Sequence, residues 1–146
     1  MTSSQRYLCA FYALVATAAL IATWSQNIAY MGDGLLGALR TFVIETKANP
    51  ASRSITVDIG FFLLASAAFM VIEARRLGVR FVGLYILFGF LIAISVTFPL
   101  FMIARELRIA ANPNAPAQGR LTTIDLIGLA AVAAAVLALS WFVLLV

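Results

Sequence analysis

The chain has 146 residues, 64% of them hydrophobic and 11% charged, with a formal net charge of +4 and a mean hydropathy of +1.05. Soluble domains hold about 45–50% apolar and 25% charged residues, so this balance excludes water as the main solvent and points to a single membrane domain. The absence of histidine excludes bis-His haem, zinc-protease motifs and His-rich di-iron sites; no metal or other cofactor is expected, and nucleic-acid binding is excluded because the cations form no basic tract.

The first apolar run, Leu8 to Trp24, follows a polar lead carrying Arg6. A signal peptide has a similar charged lead and apolar core, but Tyr7 and Trp24 bracket the run as interfacial aromatics do, which favours an uncleaved spanning helix over about 8–24. Cys9 is the lone cysteine, so no intrachain disulfide can form. At the start of an apolar run it reads as a small buried hydrophobe.

Gly32-Asp33-Gly34 is turn chemistry. Beyond it, Leu35, Leu36, Leu39, Phe42 and Val43 recur at i, i+1, i+4, i+7 and i+8, which gathers them on one helical face with Arg40, Thr41 and Glu45 elsewhere. The segment is too short and too charged to span. It predicts an interfacial amphipathic helix over about 35–46, with a helix covering the mouth of a cavity as the alternative.

Asn49-Pro50 reads as an N-cap followed by proline at the first helical position, where its missing N–H costs nothing. A helix therefore runs from Pro50 to Leu77, its spanning part about 55–77, and Gly78 ends it by supplying a left-handed residue. The cationic turn Arg75-Arg76-Leu77-Gly78-Val79-Arg80 is short enough to impose an antiparallel neighbour, the third span, about 81–103. Within that span Pro99 predicts a kink and frees the carbonyl of Ser95. The helix continues through Arg105-Glu106-Leu107-Arg108 until Asn112-Pro113-Asn114-Ala115-Pro116 stops it. Thr122 and Asp125 stand in capping-box spacing before a fourth span, about 126–146. Its Ala130, Ala134 and Ala138 form a small-residue stripe that lets helices approach closely, either within this protein or as a seam with a protein partner or a second copy.

The fold class read from this order is all-α: a polytopic membrane protein with four transmembrane helices in an up-down bundle, plus one interfacial amphipathic helix between the first and second spans. Alternating spans predict Arg40, Lys47, Arg53, Arg105, Arg108 and Arg120 on one side, and Arg6, Arg75, Arg76 and Arg80 on the other. The density of arginine beside the helix ends favours cytoplasmic N- and C-termini in a prokaryotic inner membrane.

Ionisable residues within a span are functional candidates by default. Asp58 and Glu73 are fifteen residues apart in one helix, roughly 22 Å at 1.5 Å per residue. The structural expectation for Asp58 is an interfacial acid favoured by the helix N-terminus. The functional one is an intramembrane acid with Phe61, Phe62, Phe69 and Tyr85 lining a pocket whose ring faces stabilise a cation. Glu73 is expected to pair with Arg76 or Arg80. In the up-down topology Arg105 and Glu106 fall on the side of Asp58 and can pair with it.

Ala48-Asn49-Pro50-Ala51-Ser52, Val57-Asp58, Glu73-Ala74-Arg75-Arg76-Leu77-Gly78-Val79-Arg80, Leu84-Tyr85, Phe98-Pro99-Leu100-Phe101 and Arg105-Glu106 form an ordered set. This set resembles the DUF2834 family of small bacterial membrane proteins. The resemblance implies an α-helical integral membrane protein of prokaryotic type with no assigned activity, and it supplies no catalytic residue. The leading functional expectation is a non-enzymatic subunit or accessory factor of a membrane assembly, with the lipid bilayer as its medium. The alternatives are a membrane-embedded lipid or isoprenoid enzyme of terpene-cyclase type using Asp58, and a small four-helix transporter, for which the spans offer no midplane acid.

Overall fold

The computed structural model describes residues 1–112 and, beyond them, Thr123, Ile127 and Ala134, each helical and exposed. The proposed fourth span, its cap at Thr122 and Asp125, and the Ala130 and Ala138 members of the small-residue stripe lie outside the described residues. All the regular structure described is helical.

α1, Ser3–Asn27, is opened by a capping box. The Thr2 hydroxyl accepts from the Gln5 amide N–H at 3.3 Å while the Gln5 side chain accepts from the Thr2 N–H at 2.8 Å, so two otherwise orphaned donors are satisfied reciprocally. A 3₁₀ turn, Ile28–Asp33, leads through Gly34 into α2, Gly34–Glu45. The periodic face of α2 is uncovered: Leu35, Leu36, Leu39, Phe42 and Val43 are all exposed, with Tyr30 meeting Phe42 edge-on.

α3, Pro50–Leu77, has the bounds that its sequence signals predict. Asn49 caps it by accepting from the Ser52 N–H at 2.8 Å, Pro50 starts it, and Gly78 ends it at φ +69°, a left-handed conformation that costs glycine nothing. Phe81 also sits at positive φ and is the residue from which α4, Val82–Leu91, departs.

The expected third span, one kinked helix over 81–103, is corrected by the structure. α4 stops at Leu91, Ala93 is extended at φ −179°, and a new helix, α5, runs Ile94–Ala111 with Pro99 inside it. The break therefore precedes the proline by six residues. The Ala93 carbonyl accepts from the N–H groups of Val96 and Thr97 at 3.1 and 3.2 Å, which satisfies the Val96 donor in the first turn of α5, and the Thr97 hydroxyl also donates to it.

The break reverses the chain. Tyr85 of α4 meets Phe101 of α5, whereas a Cβ built on Gly89 would stand 2.9 Å from the Thr97 hydroxyl and 3.3 Å from Ile94; residue numbers rise on one helix as they fall on the other, so α4 and α5 are antiparallel. Against α3 the sense is opposite. Phe98 packs between Phe62 and Phe69, and seven residues on, Arg105 reaches Glu73, so α3 and α5 run parallel. The tip of the α4–α5 hairpin comes level with Leu63, near the midpoint of the 28-residue α3, and α5 returns to the end where α3 finishes.

This return also corrects the distribution of charge. Arg105 and Arg108 join Arg75, Arg76 and Arg80 at one end rather than opposing them. α1 packs along α5 with Cys9 and Tyr12 within electrostatic reach of Glu106, so Arg6 belongs to the same end. The core lies between α3, α4 and α5, where Met70 and Phe101 are fully buried and Ala74, Val79 and Ile94 complete the cluster.

Candidate functional site

Helical periodicity puts Met70, Glu73 and Ala74 on the inner face of α3, and all three are buried. On α5, Phe101 and Glu106 are likewise buried, although five residues apart they point about 140° away from each other around the helix. The result is two carboxylates beside an apolar core, which is tolerable only if each is paired and hydrogen-bonded. Arg105 meets that requirement. Its Nε donates to Glu73 Oε2 at 2.7 Å, and its Nη1 donates to Glu106 Oε1 at 2.8 Å. Arg76 Nη2 adds a second donor to Glu73 Oε2 at 2.8 Å from one turn along α3.

The side chains of Glu106, Glu73 and Arg105 are 0%, 10% and 16% exposed, against 48% for Arg76. One guanidinium fork thus ties α3 to α5 and spans two acids, a planar geometry that an ammonium group does not reproduce. Cys9, half-buried on α1, and Tyr12 bring a third element within electrostatic reach of Glu106.

The sequence-predicted residues separate into two groups. Glu73, Arg76, Arg105 and Glu106 come together, and Glu73 does pair with Arg76 as expected. Arg80 does not join them: it is exposed at the turn. The expected pairing of Asp58 with Arg105 or Glu106 is corrected, because α5 carries both of those residues to the Glu73 end. Asp58 is exposed and lies past the hairpin tip, and its side chain has no hydrogen bond or ion pair among the described residues.

Phe62 and Phe69, the pocket candidates, pack on Phe98, the first edge-on and the second tilted, but keep 54% and 40% exposure. Tyr85 instead turns edge-on to Phe101 of α5. No group of three or more Cys, Asp or Glu suited to a metal ion occurs among the described residues.

Two features of this region escaped sequence reasoning. The first is Arg105 as the bridge, since its partner is 32 residues away and nothing local marks it. The second is Gly89, whose missing side chain admits Thr97, Ile94 and Leu63 to within contact distance. Its position in an unbroken apolar run is its only signal.

The family model described as "Protein of unknown function DUF2834" matches residues 11–107. The chain belongs to this family. The match takes in Glu73, Arg76, Arg105 and Glu106 as well as the whole of α2 to α4, so the α3–α5 bridge and the reversing hairpin are both inside the DUF2834 portion. No curated protein and no solved structure matches the chain.

Proposed function

We propose that this chain is a multi-pass membrane protein that serves as a non-enzymatic subunit or accessory factor of a membrane assembly, with its N-terminus on the cytoplasmic side of a prokaryotic inner membrane. The observation that carries the reading is the exposure of its longest helices. Two are long and apolar enough to cross a bilayer, and only 6% of the apolar window of the first and 11% of that of α3 is buried inside the fold. A core helix of a soluble protein is mostly enclosed. Here Leu14, Ile21, Phe61, Leu64 and Ile72 face outward, an apolar surface far beyond what a soluble monomer shows to water.

The remaining parts support the same reading. α2 presents an amphipathic face that suits the interface plane. Irregular backbone at membrane depth is tolerated where protein encloses it, and the residues around the Ile92–Ala93 break, namely Ile94, Val96 and Thr97, are buried. The α4–α5 hairpin is then re-entrant, entering and leaving on the side of Arg75, Arg76 and Arg80. With α5 returned to that side, a crossing by residues 126–146 would leave the C-terminus on the far side, the reverse of the simple up-down order.

The buried acids have their cations beside them, an arrangement suited to holding helices in register. The enzyme reading would require Asp58 to be enclosed with Phe62, Phe69 and Tyr85, and no observation favours it over the subunit reading.

The test uses the full chain. After alkaline carbonate extraction it is expected to remain in the membrane fraction, and after mild detergent extraction native mass spectrometry is expected to find it in an assembly of fixed stoichiometry with other helical proteins. A strictly monomeric chain carrying a prenyl or lipid product, with product lost in Asp58→Asn, would overturn the reading in favour of the enzyme.

A further inference from the structure

We infer that the end of the molecule where α1 begins and α3 and α5 finish is a binding surface for the headgroups of anionic phospholipids. This inference rests on the membrane reading above and specifies which lipid class contacts that end.

Among the described residues, the chain reversal at Ile92–Ala93 gathers Arg6, Arg75, Arg76, Arg80, Arg105 and Arg108 at this end, against two acids, Glu73 and Glu106. Both acids are turned inward, with side chains 10% and 0% exposed, and Arg105 and Arg76 occupy them. Among the described residues the outward-facing charge is therefore of one sign: Arg6, Arg75, Arg80 and Arg108 are exposed, and Arg76 retains half its surface. At the opposite end Arg40, Lys47 and Arg53 are matched in number by Asp33, Glu45 and Asp58. The asymmetry is in uncompensated cations, not in cations alone.

The exposed aromatic residues Tyr7 and Phe81 flank the same end, and Tyr7 has the amphipathic ring that settles among headgroups. A guanidinium fork matches a phosphate through paired N–H donors, and an arginine beside an anionic leaflet is drawn to its negative surface potential. Zwitterionic lipids supply the phosphate but not the net charge, so phosphatidylglycerol-like headgroups are the ones selected.

The experiment places the full chain in bilayers of phosphatidylcholine and phosphatidylglycerol, with one or the other brominated, and reads tryptophan quenching in two single-tryptophan versions. One carries Tyr7→Trp with Trp24→Phe and Trp141→Phe, reporting on the arginine end. The other keeps Trp24 with Trp141→Phe, reporting on the opposite end. Brominated phosphatidylglycerol is expected to quench the position-7 reporter roughly threefold more effectively than brominated phosphatidylcholine at equal mole fraction, with no preference at Trp24. High salt should shrink the preference in the otherwise native chain, and Arg75→Gln, Arg80→Gln and Arg108→Gln together should abolish it. Equal quenching by both lipids at position 7 overturns the inference while leaving the membrane reading intact. Absence of quenching by either lipid at both positions would instead remove the membrane reading itself.

Discussion

Arg105 Nε on α5 lies 2.7 Å from Glu73 Oε2 on α3, and this contact marks the end of the molecule to which α5 returns. It holds two parallel helices together at the end where both finish. The same guanidinium reaches Glu106 at 2.8 Å, so one residue compensates two buried acids.

Removing the bridge should cost more than removing either acid. Arg105→Met withdraws the cation shared by two buried carboxylates, leaving Glu73 with the half-exposed Arg76, and breaking a buried pair from one side costs about 3–5 kcal/mol. Glu73→Gln keeps a hydrogen-bonding oxygen and leaves Arg105 on Glu106, so a loss of about 2 kcal/mol is expected. Arg76→Ala touches a half-exposed pair one turn apart and should cost no more than about 0.5 kcal/mol. Thermal unfolding of the detergent-solubilised full chain gives the order; Arg76→Ala as the most damaging of the three would contradict the assignment of Arg105 as the bridge.

Accessibility to an impermeant thiol reagent tests the hairpin. In a Cys9→Ser background, Ser4→Cys and Asn112→Cys should be modified from one side of intact vesicles and Lys47→Cys from the other. A continuous third span would instead group Asn112→Cys with Lys47→Cys, and that outcome rules out the re-entrant hairpin.

Gly89 and Gly83 lie in the same short helix and should respond oppositely to added side chains. A Cβ at Gly89 would come within 2.9 Å of the Thr97 hydroxyl, whereas nothing lies within 4 Å of one at Gly83. Gly89→Leu should therefore destabilise by about 3 kcal/mol through overpacking between α3, α4 and α5. Gly83→Ala should be neutral or stabilise by up to about 1 kcal/mol through helix propensity. Equal melting shifts would show that Gly89 is not a point of close approach.

The start of α3 has a measurable cap. Asn49→Ala removes the acceptor for the Ser52 N–H at 2.8 Å and should cost about 1 kcal/mol, while Asn49→Asp should retain most of the stability. Equal losses in the two variants would show that the contact is not what stabilises this terminus.

What the sequence determined by itself was local. Asn49-Pro50 and Gly78 mark the bounds of α3 because an N-cap, a proline at the first position and a left-handed C-terminal residue each act within one helical turn. The spacing of Leu35, Leu36, Leu39, Phe42 and Val43 marks α2 for the same reason, and the ordered short motifs already carried the DUF2834 membership. The reversal between Leu91 and Ile94 had no such mark, since Ile92 and Ala93 are compatible with a continuous helix and Pro99, the visible breaker, lies inside α5. That reversal depends on whether two arms of one apolar run can pack on each other and on α3, which the space at Gly89, the Tyr85–Phe101 contact and the Arg105–Glu73 bond together permit. Such terms act through space between residues far apart in sequence. Only the tertiary structure could therefore bring the buried acids to one cation and the exposed arginines to one end.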